Sequence, residues 1–194
     1  MKLSLLLKNF RQAKAWMPNF GKDYFLIQSK TGSSRRFYIV QLTASGEKPI
    51  PLIVARLWVQ PAKQCGGWTI MEVAAQRGFG PSIYDAAMEL LYPEGLLPDL
   101  TSVSSAAQKV WDYFYTKRPD VQQSPKAPSC KQWGKEPLDT VYLKKPGVYK
   151  RSVLTPEEFN RQPVVIKHFG KQPEYGDPAV DMWDGTPSVP GGFE

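Results

Sequence analysis

The first 75 residues contain four blocks rich in apolar, aromatic and β-branched residues, and each block has the length of a β-strand. The blocks are Asp23–Ser29, Arg36–Thr43, Ile50–Val59 and Trp68–Ala74. Short connecting segments with turn-forming residues separate them. The last three blocks therefore predict a meander of neighbouring strands in a β-sheet.

From residue 82 onward the apolar positions follow a helical period. Ser82–Leu91 is amphipathic, and the stretch from Ser104 to about Lys117 places one face in the predicted core. Thr155–Asn160 starts with an N-cap residue, a proline and two acids, which predicts a short helix. Strands followed by helices predict an α/β sandwich. The core face of the second helix consists of Ala107, Val110, Trp111, Phe114 and Tyr115.

The remaining segments have weaker patterns. Asp99–Ser102 is expected to be a short strand or a turn, and Pro137–Leu143 a late strand. Residues 122–137 are rich in Gln, Ser, Pro and Lys, which is typical of an exposed loop. We expect a single domain over residues 1–171, followed by an extended Pro/Gly-rich acidic tail over residues 172–194.

Cysteine and histidine usage limits the chemistry. Two cysteines, Cys65 and Cys130, argue against a disulfide scaffold, and neither belongs to a Cys-x-x-Cys motif. With His168 as the single histidine, a structural zinc site is not expected. The sequence has no apolar run of 18 residues and therefore predicts no membrane span. Together these features predict a cytoplasmic protein with reduced thiols.

The segment Arg77–Ser82, between the fourth strand and the first helix, is a candidate anion site. Gly78 and Gly80 leave the main chain open to a ligand, and backbone N–H groups at a helix start attract a phosphate. Arg77 adds a cation at the rim. The segment is not a P-loop, because Pro81 follows the second glycine, and Ile83 stands where a dinucleotide fingerprint needs glycine. The alternative is a tight connection without a ligand.

The pattern Arg77-x-x-Gly80-x-Ser82 resembles the acyl-coenzyme A loop of the GNAT superfamily of N-acetyltransferases, whose motif is Gln/Arg-x-x-Gly-x-Gly/Ala after the fourth strand. A second signature of that family is Asn-x-x-Ala-x-x-Leu-Tyr on the following helix. Ser104, Ala107, Val110 and Trp111 occupy these four positions here. The two motifs together are also similar to acetyltransferase-like proteins of bacteriophages, and the similarity covers about residues 35–118.

The resemblance implies an α/β (α+β) fold with a mixed, mainly antiparallel central sheet flanked by helices. It implies acetyl-coenzyme A (acetyl-CoA) as the donor substrate. The donor would be held by residues of the fourth strand, the glycine-containing turn and the start of the second helix. These residues are Val73, Ala74, Arg77, Gly78, Phe79, Gly80, Pro81, Ser82 and Ser104.

Glu72 is the candidate general base. Acetyl transfer needs a polarised thioester carbonyl and a deprotonated amine, and backbone N–H groups of Met71–Ala75 are candidates for the first task. Strand alternation places Glu72 on the face of Trp68 and Ile70, where partial desolvation would make it more basic. The alternative for Glu72 is a surface charge on the sheet.

Tyr115 is the candidate acid that protonates the leaving thiolate. In relatives a tyrosine at the position of Trp111 often has this role, but an indole does not ionise usefully. Tyr115 lies one helical turn further along on the same face, and Tyr113 is the other nearby substitute. The departure at Trp111 leaves open whether the chemistry is retained.

The predicted function is acetyl transfer to an unidentified amine, on a nucleobase or a protein, by a phage-encoded enzyme in the host cytoplasm. Residues 1–171 hold all 25 Lys and Arg residues and 13 of the 18 acids, a net charge of +12 that suits a polyanionic partner such as nucleic acid or, equally, plain solubility. The alternatives are a non-catalytic module that binds DNA or a phage or host protein, and a virion component.

Overall fold

The computed structural model describes residues 24–45, 48–147, 149 and 153–161. The predicted tail over residues 172–194 and His168 lie outside the described residues. The predicted extent of the domain, residues 1–171, is therefore described only in part.

The described residues form a mixed sheet of seven strands in the spatial order β1-β2-β3-β4-β5-β7-β6. Neighbouring strands run antiparallel, except that β4 and β5 are parallel. This confirms the predicted mixed, mainly antiparallel sheet and the meander of its first strands. The strands are β1 (Tyr24–Thr31), β2 (Ser34–Ser45), β3 (Lys48–Ala62), β4 (Gly67–Ala75), β5 (Leu96–Leu97), β6 (Gln122–Pro125) and β7 (Thr140–Leu143).

Three α-helices occur in the described part of the chain: α1 (Gly80–Leu90), α2 (Ser105–Lys117) and α3 (Pro156–Asn160). Ser104 caps α2, because its side chain accepts a hydrogen bond from the Ala107 amide at 3.2 Å. Thr155 and Glu158 form a complete capping box at α3. The predicted helices are confirmed, with α1 starting two residues earlier than expected.

Side chains on the two faces of the sheet belong to different hydrophobic clusters. Along β2, Phe37 and Ile39 lie in the main core with α1 and α2, whereas Tyr38 and Val40 lie in a smaller cluster with Phe159 of α3. This alternation is what a strand buried on both faces requires. Val110, Trp111 and Phe114 of α2 lie in the main core, and the partly buried Tyr115 packs against it, so four of the five residues predicted for the core face of this helix are confirmed.

One weaker prediction is wrong. Residues 122–137 are not simply an exposed loop, because they include β6 and a 3₁₀ turn at Pro128–Cys130, with Lys126 and Cys130 buried. Here tertiary burial outweighs local composition. Asp99–Ser102, expected to be a short strand or a turn, forms a turn in which the Thr101 and Ser102 amides donate to Asp99 Oδ1. The strand in this region lies at Leu96–Leu97, where the chain is fully buried beside β4.

The expectation of reduced, separate cysteines is also wrong in this structure. Cys65 and Cys130 form a disulfide with Cα atoms 5.5 Å apart. They are 65 residues apart in sequence, but the strand order places the β3–β4 connection beside the β6–β7 connection. Both cysteines are buried with Leu97 and Val141.

A buried ion network joins α1 to the end of β7 and to the segment that follows α2. Asp85 accepts hydrogen bonds from Arg118 Nη2 and from Lys144 Nζ, each at 2.9 Å. One helical turn later, Glu89 accepts the Gly147 amide at 2.8 Å and lies 3.8 Å from Lys144 Nζ. Both carboxylates are 1% exposed. Such groups are tolerated in a protein interior only when their charges are matched.

We expect Lys144→Met to lower the free energy of unfolding by about 3 kcal/mol, because it removes a cation that contacts both buried carboxylates. The measurement is urea unfolding at neutral pH. Adding Glu89→Gln to this variant removes one of these two carboxylate charges and should restore part of the loss. Equal stability of Lys144→Met and the wild type would contradict this account of the network.

Reduction of the Cys65–Cys130 disulfide should lower the free energy of unfolding by about 4 kcal/mol, because the bond closes a loop of about 65 residues in the unfolded chain. Urea unfolding with and without a phosphine reductant measures the difference. The double variant Cys65→Ala/Cys130→Ala is the control and should be insensitive to reductant. A wild-type curve that does not move with reductant would argue against the bond.

Candidate functional site

The last six residues of β4 have an open edge. On one side β4 pairs with β3 along its length, but on the other side it pairs with β5 only at Trp68 and Thr69. Beyond Thr69 this pairing stops because β5 ends at Leu97, and Thr69 Oγ1 donates to the Pro98 carbonyl at 3.4 Å at this point. Among the described residues, main-chain groups along residues 70–75 therefore have no neighbouring strand on this side, and we call the space beside them the groove.

A β-bulge lies at the start of this open edge. Ile70 pairs with Val59 and Glu72 pairs with Trp58, so Met71 is an extra residue in β4. Its side chain is 43% exposed, which is unusual for a large apolar residue next to a core strand. The bulge bends β4 and changes which side chains face the core.

The turn after β4 leaves several amides without protein partners. The Phe79 amide donates to the Gln76 carbonyl at 3.0 Å, and the Ser82 amide donates to the Phe79 carbonyl at 3.1 Å. Among the described residues, the amides of Arg77, Gly78 and Gly80 have no such acceptor. Three N–H groups thus lie at the N-terminus of α1, where the helix dipole favours an anion.

The glycines and Ser82 give this turn its shape. Gly78 has φ +89°, a conformation that favours glycine. A Cβ atom at Gly80 would meet no atom within 4 Å, so the space beside it is open. Ser82 is 1% exposed, and its Oγ has no hydrogen-bond partner among the described residues. A buried hydroxyl without a partner is unusual in a protein interior, and this one follows the unpaired Gly80 amide by two residues.

The other residues predicted to bind acetyl-CoA lie in surroundings that differ from one residue to the next. Val73 and Ala74 lie on the open edge of β4, and Arg77 is exposed at the rim of the turn. The Phe79 side chain is buried, with its ring 5.7 Å from that of Tyr24, so only its main chain borders the turn. Ser104 uses its hydroxyl to cap α2.

The predicted environment of Glu72 is wrong. Because of the bulge, Val73 and Ala75 pack with Trp68 and Ile70 in the main core, and Glu72 lies on the opposite face. Its side chain is 48% exposed and forms an ion pair with Arg56. Glu72 is therefore beside the groove, but it is a paired surface carboxylate rather than a desolvated one.

Tyr115 is held by a neighbouring loop. Its hydroxyl donates to Glu136 Oε2 at 2.8 Å, and this hydrogen bond raises the pKa of Tyr115. Trp111, one turn earlier, is fully buried and stacks on Tyr142 with ring centroids 4.8 Å apart. The structure thus places Trp111 in the core, and it gives the Tyr115 hydroxyl a partner away from β4.

Lys126 is a chemically unusual residue that the sequence pattern did not indicate. It is 2% exposed, and its Nζ has no hydrogen-bond partner among the described residues. Burial lowers its pKa to about 8, although Asp139 and Asp99 act in the opposite direction. Lys126 lies in a stretch rich in Pro, Ser and Lys, whose composition carries no signal of burial.

No protein-family model, curated protein or solved structure matches this chain. Among the described residues, no group of His, Cys, Asp and Glu side chains is arranged to hold a metal ion. No helix in the described part of the chain has both the length and the apolar character needed to cross a membrane. The site is therefore interpreted from its own geometry.

The lowered pKa of Lys126 predicts a specific pH dependence of stability. The folded-state pKa of about 8 lies below the ordinary value of 10.5, so the folded protein gains stability as the pH rises from 8 to 10.5. Lys126→Met removes this pH-dependent contribution to the free energy of unfolding. The variant should be more stable than the wild type at pH 7, by at most about 3 kcal/mol. Urea unfolding from pH 7 to 10.5 should show the two curves converging. Parallel curves would show that Lys126 is not desolvated.

Proposed function

We propose that this protein is an acyl-coenzyme A-dependent N-acyltransferase that transfers an acetyl group to an amine. The observation that carries the proposal is the open edge of β4 leading directly into a turn with unpaired amides. An extended thioester donor requires both features. Its amide-containing arm needs main-chain partners along a strand, and its diphosphate needs N–H groups at a helix start.

The order of the two sequence motifs supports this assignment. The Arg77–Ser82 motif lies between β4 and α1, and the motif that starts at Ser104 lies at the N-terminus of α2. Strand β5, whose pairing with β4 ends beside the groove, comes between them in sequence. The resemblance to the GNAT superfamily and the geometry of the groove thus point to the same donor, acetyl-CoA.

The proposed reaction is direct transfer. The amine nitrogen attacks the thioester carbonyl carbon, the C–S bond breaks, and the thiolate takes up a proton. N–H groups on the open edge of β4 would stabilise the developing oxyanion. Glu72 would accept the proton from the attacking amine, directly or through water, once its pairing with Arg56 loosens. Tyr115 would serve as the acid only after releasing Glu136.

Non-catalytic binding is the second candidate function, and a specific observation favours it. Both predicted catalytic groups are engaged by other side chains: Glu72 with Arg56, and Tyr115 with Glu136. A module that keeps the groove but not the chemistry would bind DNA or a phage or host protein, or take a place in a virion. The host cytoplasm is the proposed site of action for the enzyme.

A negative charge introduced into the turn tests whether the turn binds acetyl-CoA. We expect Gly80→Asp to weaken acetyl-CoA binding at least about 100-fold, because a carboxylate would lie against the diphosphate. Folding should be unaffected, since a Cβ at Gly80 meets no atom within 4 Å and an acid suits the start of a helix. Isothermal titration calorimetry measures the affinity, and thermal unfolding measures the stability.

Gly80→Asn is the matched control, because it has nearly the same shape without the charge, and it should weaken binding much less. Equal effects of the two substitutions would exclude a diphosphate at this turn. Acetyl-CoA binding to the wild type without transfer to any pooled amine would favour the binding module. No heat with acetyl-CoA would overturn the enzyme proposal.

A further inference from the structure

A group of polar and aromatic side chains lies on the sheet face opposite α1 and α2, next to the groove. Arg36, Trp58 and Glu72 are direct cross-strand neighbours on β2, β3 and β4, and Arg56 lies two residues before Trp58 on the same face. We call these four residues the β3 platform. Such neighbours on one face are close enough for their side chains to contact one ligand.

Two hydrogen-bond donors in the β3 platform have no acceptor. Arg56 Nε and Trp58 Nε1 are shielded from solvent, and neither has a partner among the described residues. Leaving such donors unpaired is costly, and because both atoms are enclosed in this structure, the acceptor atoms of a ligand reach them only when the two side chains turn outward. Phosphate oxygens and the ring nitrogens and carbonyls of nucleobases are acceptors of this kind.

The other groups of the β3 platform restrict the ligand further. The Arg36 guanidinium lies over the Trp58 ring, 5.8 Å from its centroid, which gives a cation beside an aromatic surface. Glu72 supplies a carboxylate that accepts hydrogen bonds from an amino group. Cations and an aromatic face are the combination that binds bases linked to phosphates. The carboxylate adds a preference for bases that have an exocyclic amine.

The position of Glu72 connects the β3 platform to the groove. Glu72 directly follows the bulged Met71 at the start of the open edge of β4. An amine bound at Glu72 would therefore lie beside the strand that holds the thioester. We propose that the β3 platform binds the amine substrate, and that this substrate is an amine-bearing nucleobase linked to phosphate, either a free nucleotide or part of a single strand. The transfer of an acetyl group to this substrate rests on the proposed function, whereas the binding of the substrate does not.

The test of the inference is binding measured without acetyl-CoA. Tryptophan fluorescence of the full chain is titrated with AMP, CMP and TMP, and with single-stranded adenine, cytosine and thymine oligonucleotides of about ten residues. We expect adenine and cytosine compounds to bind, and thymine compounds, which lack an exocyclic amine, to bind more weakly. Tighter binding of the oligonucleotides would identify a strand as the substrate, and equal binding would identify the nucleotide.

Variants locate the binding surface. Trp58→Leu should weaken binding about tenfold through the loss of stacking. Arg36→Ala should weaken binding, and it should reduce the slope of the logarithm of affinity against the logarithm of salt concentration by about one. Lys117→Ala removes an exposed cation from α2 and is the matched control, with unchanged affinity. Circular dichroism checks that each variant folds. If Trp58→Leu does not fold, Arg36→Ala alone tests the binding surface.

The outcomes separate this inference from the proposed function. Gly80→Asp should lose acetyl-CoA binding but keep nucleotide binding, which shows that the groove and the β3 platform are distinct. Nucleotide binding without acetyl transfer would overturn the proposed function, but the inferred binding surface would still stand. No binding of any nucleotide or oligonucleotide, or equal affinities of Trp58→Leu, Arg36→Ala and the wild type, would overturn the inference.

Discussion

The buried ion network around Asp85 is the interaction on which the arrangement of the helices depends. Asp85 binds Arg118, which follows α2, and Lys144, which follows β7, so one carboxylate fixes three segments that are far apart in sequence. Because α1 is held at its middle by Asp85 and near its C-terminus by Glu89, the position of its N-terminus, and with it the Arg77–Ser82 turn, is constrained relative to β4. The hydrogen bonds of these ion pairs are directional, whereas apolar packing alone would tolerate rotation of the helix.

The groove begins beside a local irregularity in one strand. The pairing of β4 with the two-residue strand β5 ends at Thr69, and the extra residue Met71 follows directly. The same bulge moves Glu72 from the core face to the platform face. The inserted residue therefore places a carboxylate directly beside the free strand edge, which is why the two proposed binding surfaces meet at this point.

Sequence patterns predicted the sheet, the helices and the turn, because each depends on local periodicity or on a glycine-rich connection. They failed where distant segments meet. The alternation rule placed Glu72 with Trp68, since a bulge has no local signature beyond the adjacent apolar residues Ile70 and Met71. The disulfide and the burial of Lys126 depend on the β4-β5-β7-β6 order, which composition does not encode. Asp85 and Glu89 were visible as acids four residues apart in an apolar helix, but their partners were not.

The location of the disulfide has a consequence for the integrity of the molecule. The covalent ring closed by Cys65 and Cys130 contains β4, α1, β5, α2 and β6, and thus the open edge of β4 and the Arg77–Ser82 turn. A protease that cuts one peptide bond inside this ring leaves both fragments tethered to each other. Nicked molecules would migrate as intact chains until the sample is reduced, and they would keep the groove residues in one covalent unit.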